Sequence, residues 1–213
     1  MQTKYNENIL YFDGYNLLDV ALVNKTPFYL YSENKIIENF NDYKTAFSNY
    51  NHLICYSVKA NSNLKILSIL AKLGSGFDIV SGGELHRVLE IGGDPSKIVF
   101  SGVGKTEDEI RLAISNNILC FNVESLEELK TINSLAIEMK KTANISIRVN
   151  PFIDIKTHPY IATGMKDNKF GVDEKEIVSF YAEASSCKGL KITGIDFHIG
   201  SQITEVSPYK EAL

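Results

Sequence analysis

The sequence predicts an α/β fold built as a (β/α)8 barrel, and three observations carry that expectation. Short apolar strands alternate with amphipathic helices from Leu53 onward. Strand centres near 55, 78, 99, 120 and 146 recur about every 21–26 residues, the spacing of a repeated βα unit. Within each strand apolar residues alternate with small or polar ones, whereas strands of a doubly wound sheet are apolar on both faces. A barrel with its chemistry at the mouth explains that split better. About six of the eight strands can be read, so the 213 residues are expected to hold an incomplete barrel.

The elements follow in order. Residues 1–26 read as mixed and irregular, with Asp13-Gly14 as a turn. Phe28-Tyr29-Leu30-Tyr31 reads as a short strand, and Ser32 as the cap of a helix with Ile36, Phe40, Tyr43 and Phe47 on one face. Strands are expected at 53–58, 77–80, 98–101, 118–123, 144–149 and 194–198. Helices are expected between them, at 64–73, 84–91, 107–115, 126–139 and 174–185. Ser81, Thr106 and Ser125 each stand three residues before a Glu, which predicts three capping boxes. Asp173 is placed to cap the last of these helices. The polar stretch 151–172 is long for a loop and follows the carboxyl end of a strand, where α/β folds place their sites. Residues 209–213 read as an unfinished helix.

Composition excludes several classes. With 22 basic and 26 acidic residues the net charge is −4, so no global basic field recruits nucleic acid or anionic lipid. Cys55, Cys120 and Cys187 are scattered, which argues against a disulfide framework or a zinc site. The start lacks the pattern of a signal peptide and no apolar run reaches about 20 residues, so a cytoplasmic protein is expected.

Two glycine motifs fail on inspection. Gly102-Val103-Gly104-Lys105-Thr106 resembles a phosphate-binding loop, but Val99 stands where its first Gly is required. Gly74-Ser75-Gly76 has Ile79 in place of a third Gly.

The informative residue is Lys59. It ends an apolar strand and shares the parity of Cys55 and Ser57, which places it at the inner rim. A lysine partly desolvated there suits imine formation with a carbonyl. Asp78, Arg148 and His198 share that parity and level on three other strands, and packing alone does not explain four such groups. His198 leads into Gly200-Ser201-Gln202, a turn able to offer backbone N–H groups and the Ser201 hydroxyl to an anion. His158, before Pro159, reads as a turn residue, and Cys55 and Cys120 as inward packing.

These stretches resemble a known family. Tyr56-Ser57-Val58-Lys59-Ala60-Asn61, Phe77-Asp78-Ile79-Val80-Ser81 and Phe197-His198-Ile199-Gly200-Ser201-Gln202 are similar to the alanine-racemase-type pyridoxal-phosphate (PLP) decarboxylases. Phe100-Ser101-Gly102-Val103-Gly104-Lys105, Arg148-Val149-Asn150-Pro151, and Thr157-His158-Pro159-Tyr160 with Lys169-Phe170-Gly171 resemble the branch acting on meso-diaminopimelate. The resemblance implies that Lys59 holds PLP covalently and that His198 stacks on its ring, these two being the catalytic residues. It further implies that Gly200 and Ser201 meet the phosphate, and that Asp78 and Arg148 belong to the polar shell around the cofactor. By the same resemblance, PLP is the electron sink while meso-diaminopimelate loses carbon dioxide to give L-lysine.

No metal is implied, and a homodimer with shared active sites is expected of the full-length enzyme. Residues 1–26 would supply a strand to a carboxy-terminal β-domain, and 27–213 would form part of the PLP-binding barrel. The 213-residue chain alone is therefore expected to be inactive. Relatives acting on ornithine, arginine or carboxynorspermidine, racemases, and a non-catalytic PLP-binding barrel would share the same cofactor residues.

Overall fold

The structure, a computed structural model, describes residues 3–151, 153, 170–201 and 203–213. It opens on three short antiparallel strands, β1 (Thr3–Asn6), β2 (Ile9–Phe12) and β3 (Tyr15–Asn16). The amino-terminal segment is thus regular, contrary to expectation. Its two-residue turns explain how: Glu7 and Asn8 have φ of 47° and 65°, and Asp13 and Gly14 have 51° and 85°. Paired positive φ values mark turns whose twist matches that of the flanking strands. Helix α1 (Leu17–Val23) follows, with the Asn16 side chain accepting from the Leu18 N–H.

Residues 28–31 form no strand, a second correction. Their aromatic β-propensity finds no neighbouring strand to pair with, and Tyr29 is 90% exposed. Ser32 does cap α2 (Glu33–Ala46), accepting from the Lys35 N–H. Its hydroxyl also donates to Asp13 and ties the meander to the helix.

The rest is a run of βα units: β4 (Cys55–Ser57), α3 (Leu64–Lys72), β5 (Gly76–Ile79), α4 (Gly82–Glu90), β6 (Ile98–Phe100), α5 (Glu107–Ser115), β7 (Cys120–Val123), α6 (Leu126–Glu138) and β8 (Ala143–Asn150). They are followed by β9 (Val172–Asp173), α7 (Ile177–Ser186), β10 (Leu190–Asp196) and α8 (Ser207–Ala212). Strands β4, β5, β6, β7, β8 and β10 pair in that order, all parallel, with β9 added beside the end of β8. β4 and β10 are the two edges.

Local chemistry sets the boundaries. Thr106 and Glu109 form the full capping box. Ser81 and Ser125 cap α4 and α6, but Glu84 and Glu128 take the N–H groups of Val80 and Glu124, one residue earlier than the box requires. Asp173 does not cap α7. It lies in β9, where its carboxylate accepts from the Lys175 N–H, and α7 begins after Glu176 without a side-chain cap.

Alternation within the strands builds the core. Phe77, Ile79, Phe100, Phe121, Ile145 and Ile147 point outward and are fully covered by helical residues such as Leu67, Leu85, Leu129 and Ile132. The opposite face carries Ser57, Asp78, Asn122, Ser146, Arg148 and Asp196, and that face holds the site.

Candidate active site

The inward side chains form two levels. At the lower one, the hydroxyls of Ser57 and Ser101 donate to the two oxygens of Asp78 at 2.9 and 2.5 Å. Asn122 Nδ2 donates to Ser101 Oγ at 3.1 Å, and Ser146 Oγ donates to Asn122 Oδ1. One polar chain therefore crosses the units from β4 to β8, and each member satisfies the next.

At the upper level Glu124, just beyond β7, is nearly sealed from solvent. Its Oε1 accepts from the Gly102 N–H at 3.1 Å and from Arg148 Nη1 at 3.0 Å. Its Oε2 is buried with no donor among the described residues. The Arg148 guanidinium lies 5.7 Å from the centre of the Phe170 ring. Lys59, Asp78, Glu124, Arg148, Asp196, His198 and Ser201 all line one cavity of about 500 Å³. Gly200 stands beside it with φ of 144°, a conformation that favours glycine. A cavity of about 570 Å³ between α2 and β4 is apolar, with no such convergence of charged groups.

The structure thus brings together five of the six expected site residues and sets Gly200 next to them. Two details differ from expectation. Lys59 leaves the strand for a 3-10 turn, Val58–Ala60, and is exposed rather than partly desolvated. Its amine has no hydrogen bond or ion pair among the described residues. His198 lies two residues beyond the end of β10, on the rim. Thr157, His158, Pro159, Tyr160, Lys169 and Gln202 lie outside the described residues.

Glu124 and Asp196 are site residues to which the sequence alone assigns no role. Both have the inward parity of a neighbouring inward residue, Asn122 for the first and His198 for the second, and that is the available signal. Burial pushes the Asp196 carboxyl up to about 6, against the opposing pull of Arg148 and with added repulsion from Asp78 and Glu124. Burial also holds the His198 imidazole below its usual value, and the nearby charges of Arg148 and Lys59 act in the same direction. Cys55 and Cys120 are pushed up to about 11, chiefly by burial, as suits unreactive packing thiols.

A model of the family described as pyridoxal-dependent decarboxylase, pyridoxal binding domain, matches residues 33–213. The chain belongs to the pyridoxal-dependent decarboxylase family. Within it, the chain is 52% identical to a diaminopimelate decarboxylase of Haemophilus influenzae over 209 residues, 98% of this chain and 50% of that protein. It is similar to a crystal structure of diaminopimelate decarboxylase from Helicobacter pylori in complex with L-lysine, with a TM-score of 0.90 and 52% identity. That match covers 92% of this chain and 50% of the other. The enzyme from M. jannaschii, also in complex with L-lysine, gives a TM-score of 0.91 at 40% identity, covering 99% of this chain and 50% of the other. The chain spans about half the length of the relatives it matches. Its six parallel strands are part of a (β/α)8 barrel, as the strand alternation predicts. No helix among the described residues is long and apolar enough to cross a membrane.

Proposed function

We propose that this chain is the cofactor-binding half of a decarboxylase that converts meso-2,6-diaminopimelate to L-lysine with PLP as its cofactor. The observation that carries the reading is the Lys59 amine, facing a cavity that also holds carboxylates, a guanidinium and an anion-ready turn. Those groups fit PLP: an amine for its aldehyde, polar partners for its ring substituents, and Gly200 with Ser201 for its phosphate. Bound there, PLP supplies the electron sink for the carbanion left when carbon dioxide departs.

The roles of the chain's own residues follow from their positions. Lys59 is the covalent anchor, and its exposure leaves the nitrogen open to attack an aldehyde. His198, on the rim, would stack on the ring, and burial together with the charges of Arg148 and Lys59 favours its neutral imidazole. Asp78, fixed by Ser57 and Ser101 at the lower level, and Arg148, fixed by Glu124 at the upper one, would orient the cofactor. Residues 1–26 contribute a strand to a further domain, and the active enzyme is a cytoplasmic homodimer. The L-lysine bound to the Helicobacter and M. jannaschii enzymes supports diaminopimelate over ornithine or arginine as the substrate.

Borohydride reduction of the complete protein after incubation with PLP tests the assignment. The pyridoxyl mass is expected on the peptide holding Lys59, with carbon dioxide released from meso-diaminopimelate but not from ornithine or arginine. Label on another lysine, or on none, removes Lys59 from its role. In a His198→Ala variant the same protein should stay folded, bind PLP less tightly and turn over more slowly. Unchanged affinity and turnover would make His198 purely structural.

A further inference from the structure

The loop that resembles a phosphate-binding motif has a different task in this fold. Lys105 is walled off from the cavity, its side chain only 1% exposed. The ammonium donates to the carbonyls of Gly102 at 2.7 Å and Asn122 at 2.9 Å, and to Glu128 Oε1 at 2.5 Å. It also lies 5.5 Å from the centre of the Phe100 ring. All three of its donors are therefore committed within the protein.

Each acceptor leads back to the same place. Gly102 presents its N–H to Glu124 Oε1. Glu128 Oε2 accepts from the N–H of Glu124 at 2.9 Å. Asn122, on β7, precedes Glu124 by two residues. Glu124 Oε1 in turn holds Arg148. One buried cation thus fixes the loop after β6, the end of β7 and the start of α6, whose common product is the position of the Glu124 carboxylate.

We propose that Lys105 is a positioning residue for Arg148, acting through Gly102, Glu128 and Glu124 from behind the wall of the cavity. The consequence for catalysis rests on the function proposed above; the consequence for Arg148 does not. A lysine in this loop without a phosphate to bind is then accounted for. Its charge balances Glu128, and its three bonds set the two backbone segments on which Glu124 sits.

The test uses the complete protein and two variants. Lys105→Met/Glu128→Gln removes both charges together, so no ion is left unpaired in the interior. The amide oxygen introduced by Glu128→Gln can still accept from the Glu124 N–H. Lys105→Gln/Glu128→Gln, whose introduced amide can still donate to a backbone carbonyl, is the milder second variant. Modification of Arg148 by phenylglyoxal, read by peptide mass analysis without cofactor, reports how firmly the guanidinium is held. The expected result is modification about tenfold faster in the double variant, equivalent to ~1.4 kcal/mol of lost restraint, with the thermal midpoint near that of the parent. Lys105→Gln/Glu128→Gln should show the same change to a smaller extent.

With PLP bound, kcat should fall by about 100-fold with little change in KM, as misplacement of a group in the site produces. An unchanged rate of Arg148 modification in a folded variant overturns the proposal. So does loss of the fold in both variants, which would confine Lys105 to stability. Faster modification in a protein that proves to lack decarboxylase activity would leave the positioning role standing and sink the proposed function instead.

Discussion

Arg148→Met is expected to lower the stability of the complete protein by about 3 kcal/mol, as removal of one partner from a buried ion pair does. The Glu124 side chain is 2% exposed and that of Arg148 13%, and no other ion pair to Glu124 exists among the described residues. Oε2 has no donor among the described residues, so without the guanidinium the carboxylate would keep, of their groups, only the Gly102 N–H. Urea unfolding at pH 7 should show the midpoint shift at constant slope. Adding Glu124→Gln to Arg148→Met should return most of the loss. The amide carries no charge, and its oxygen still accepts from Gly102. If the double variant is no more stable than Arg148→Met alone, the cost lies in packing and not in the stranded charge. Cofactor retention should fall in both variants, because neither has a guanidinium facing the cavity.

The barrel portion is legible in the sequence because its strands obey a period of two. Parity alone places Ser57, Asp78 and Arg148 on the inner face, and the structure has them there with the outward Phe77, Ile79 and Ile147 fully buried. The same rule carried two residues past Asn122 reaches Glu124, whose place beside a helix cap disguises it as a boundary residue. Asp196 is legible as inward but not as significant, since its raised pKa comes chiefly from burial in the assembled sheet, with repulsion added by Asp78 and Glu124 from other βα units. Lys105 cannot be read at all. Its partners lie up to 23 residues away, and nothing local distinguishes a buried lysine from an exposed one. The amino-terminal meander is hidden for another reason. Glu7-Asn8 is a weak turn signal beside Asp13-Gly14, and without the first turn β1 and β2 merge into irregular chain. At 28–31 the error is reversed: strand propensity is present but the partner strand is not.

Asp196→Asn is expected to stabilise the complete protein at pH 8 and to leave it nearly unchanged at pH 3. The folded carboxyl titrates near 6, raised from 3.8 chiefly by burial. Well below pH 3.8 the group is protonated in both folded and unfolded chains, and its titration adds nothing to stability. Between those values the folded state holds the proton that the unfolded state has released, so stability falls as pH rises. Well above pH 6 both states are ionised and the loss is complete, about 3 kcal/mol for a shift of this size. Asparagine, uncharged throughout, escapes that loss. Unfolding free energies of parent and variant, measured at intervals from pH 3 to pH 8, should therefore diverge from about pH 4 and level off above pH 6. A variant less stable than the parent at pH 8 would mean that the attraction of Arg148 outweighs burial and that Asp196 serves the fold. The expected direction instead marks a carboxylate kept in the cavity lining at the expense of stability, as groups placed for binding or chemistry commonly are.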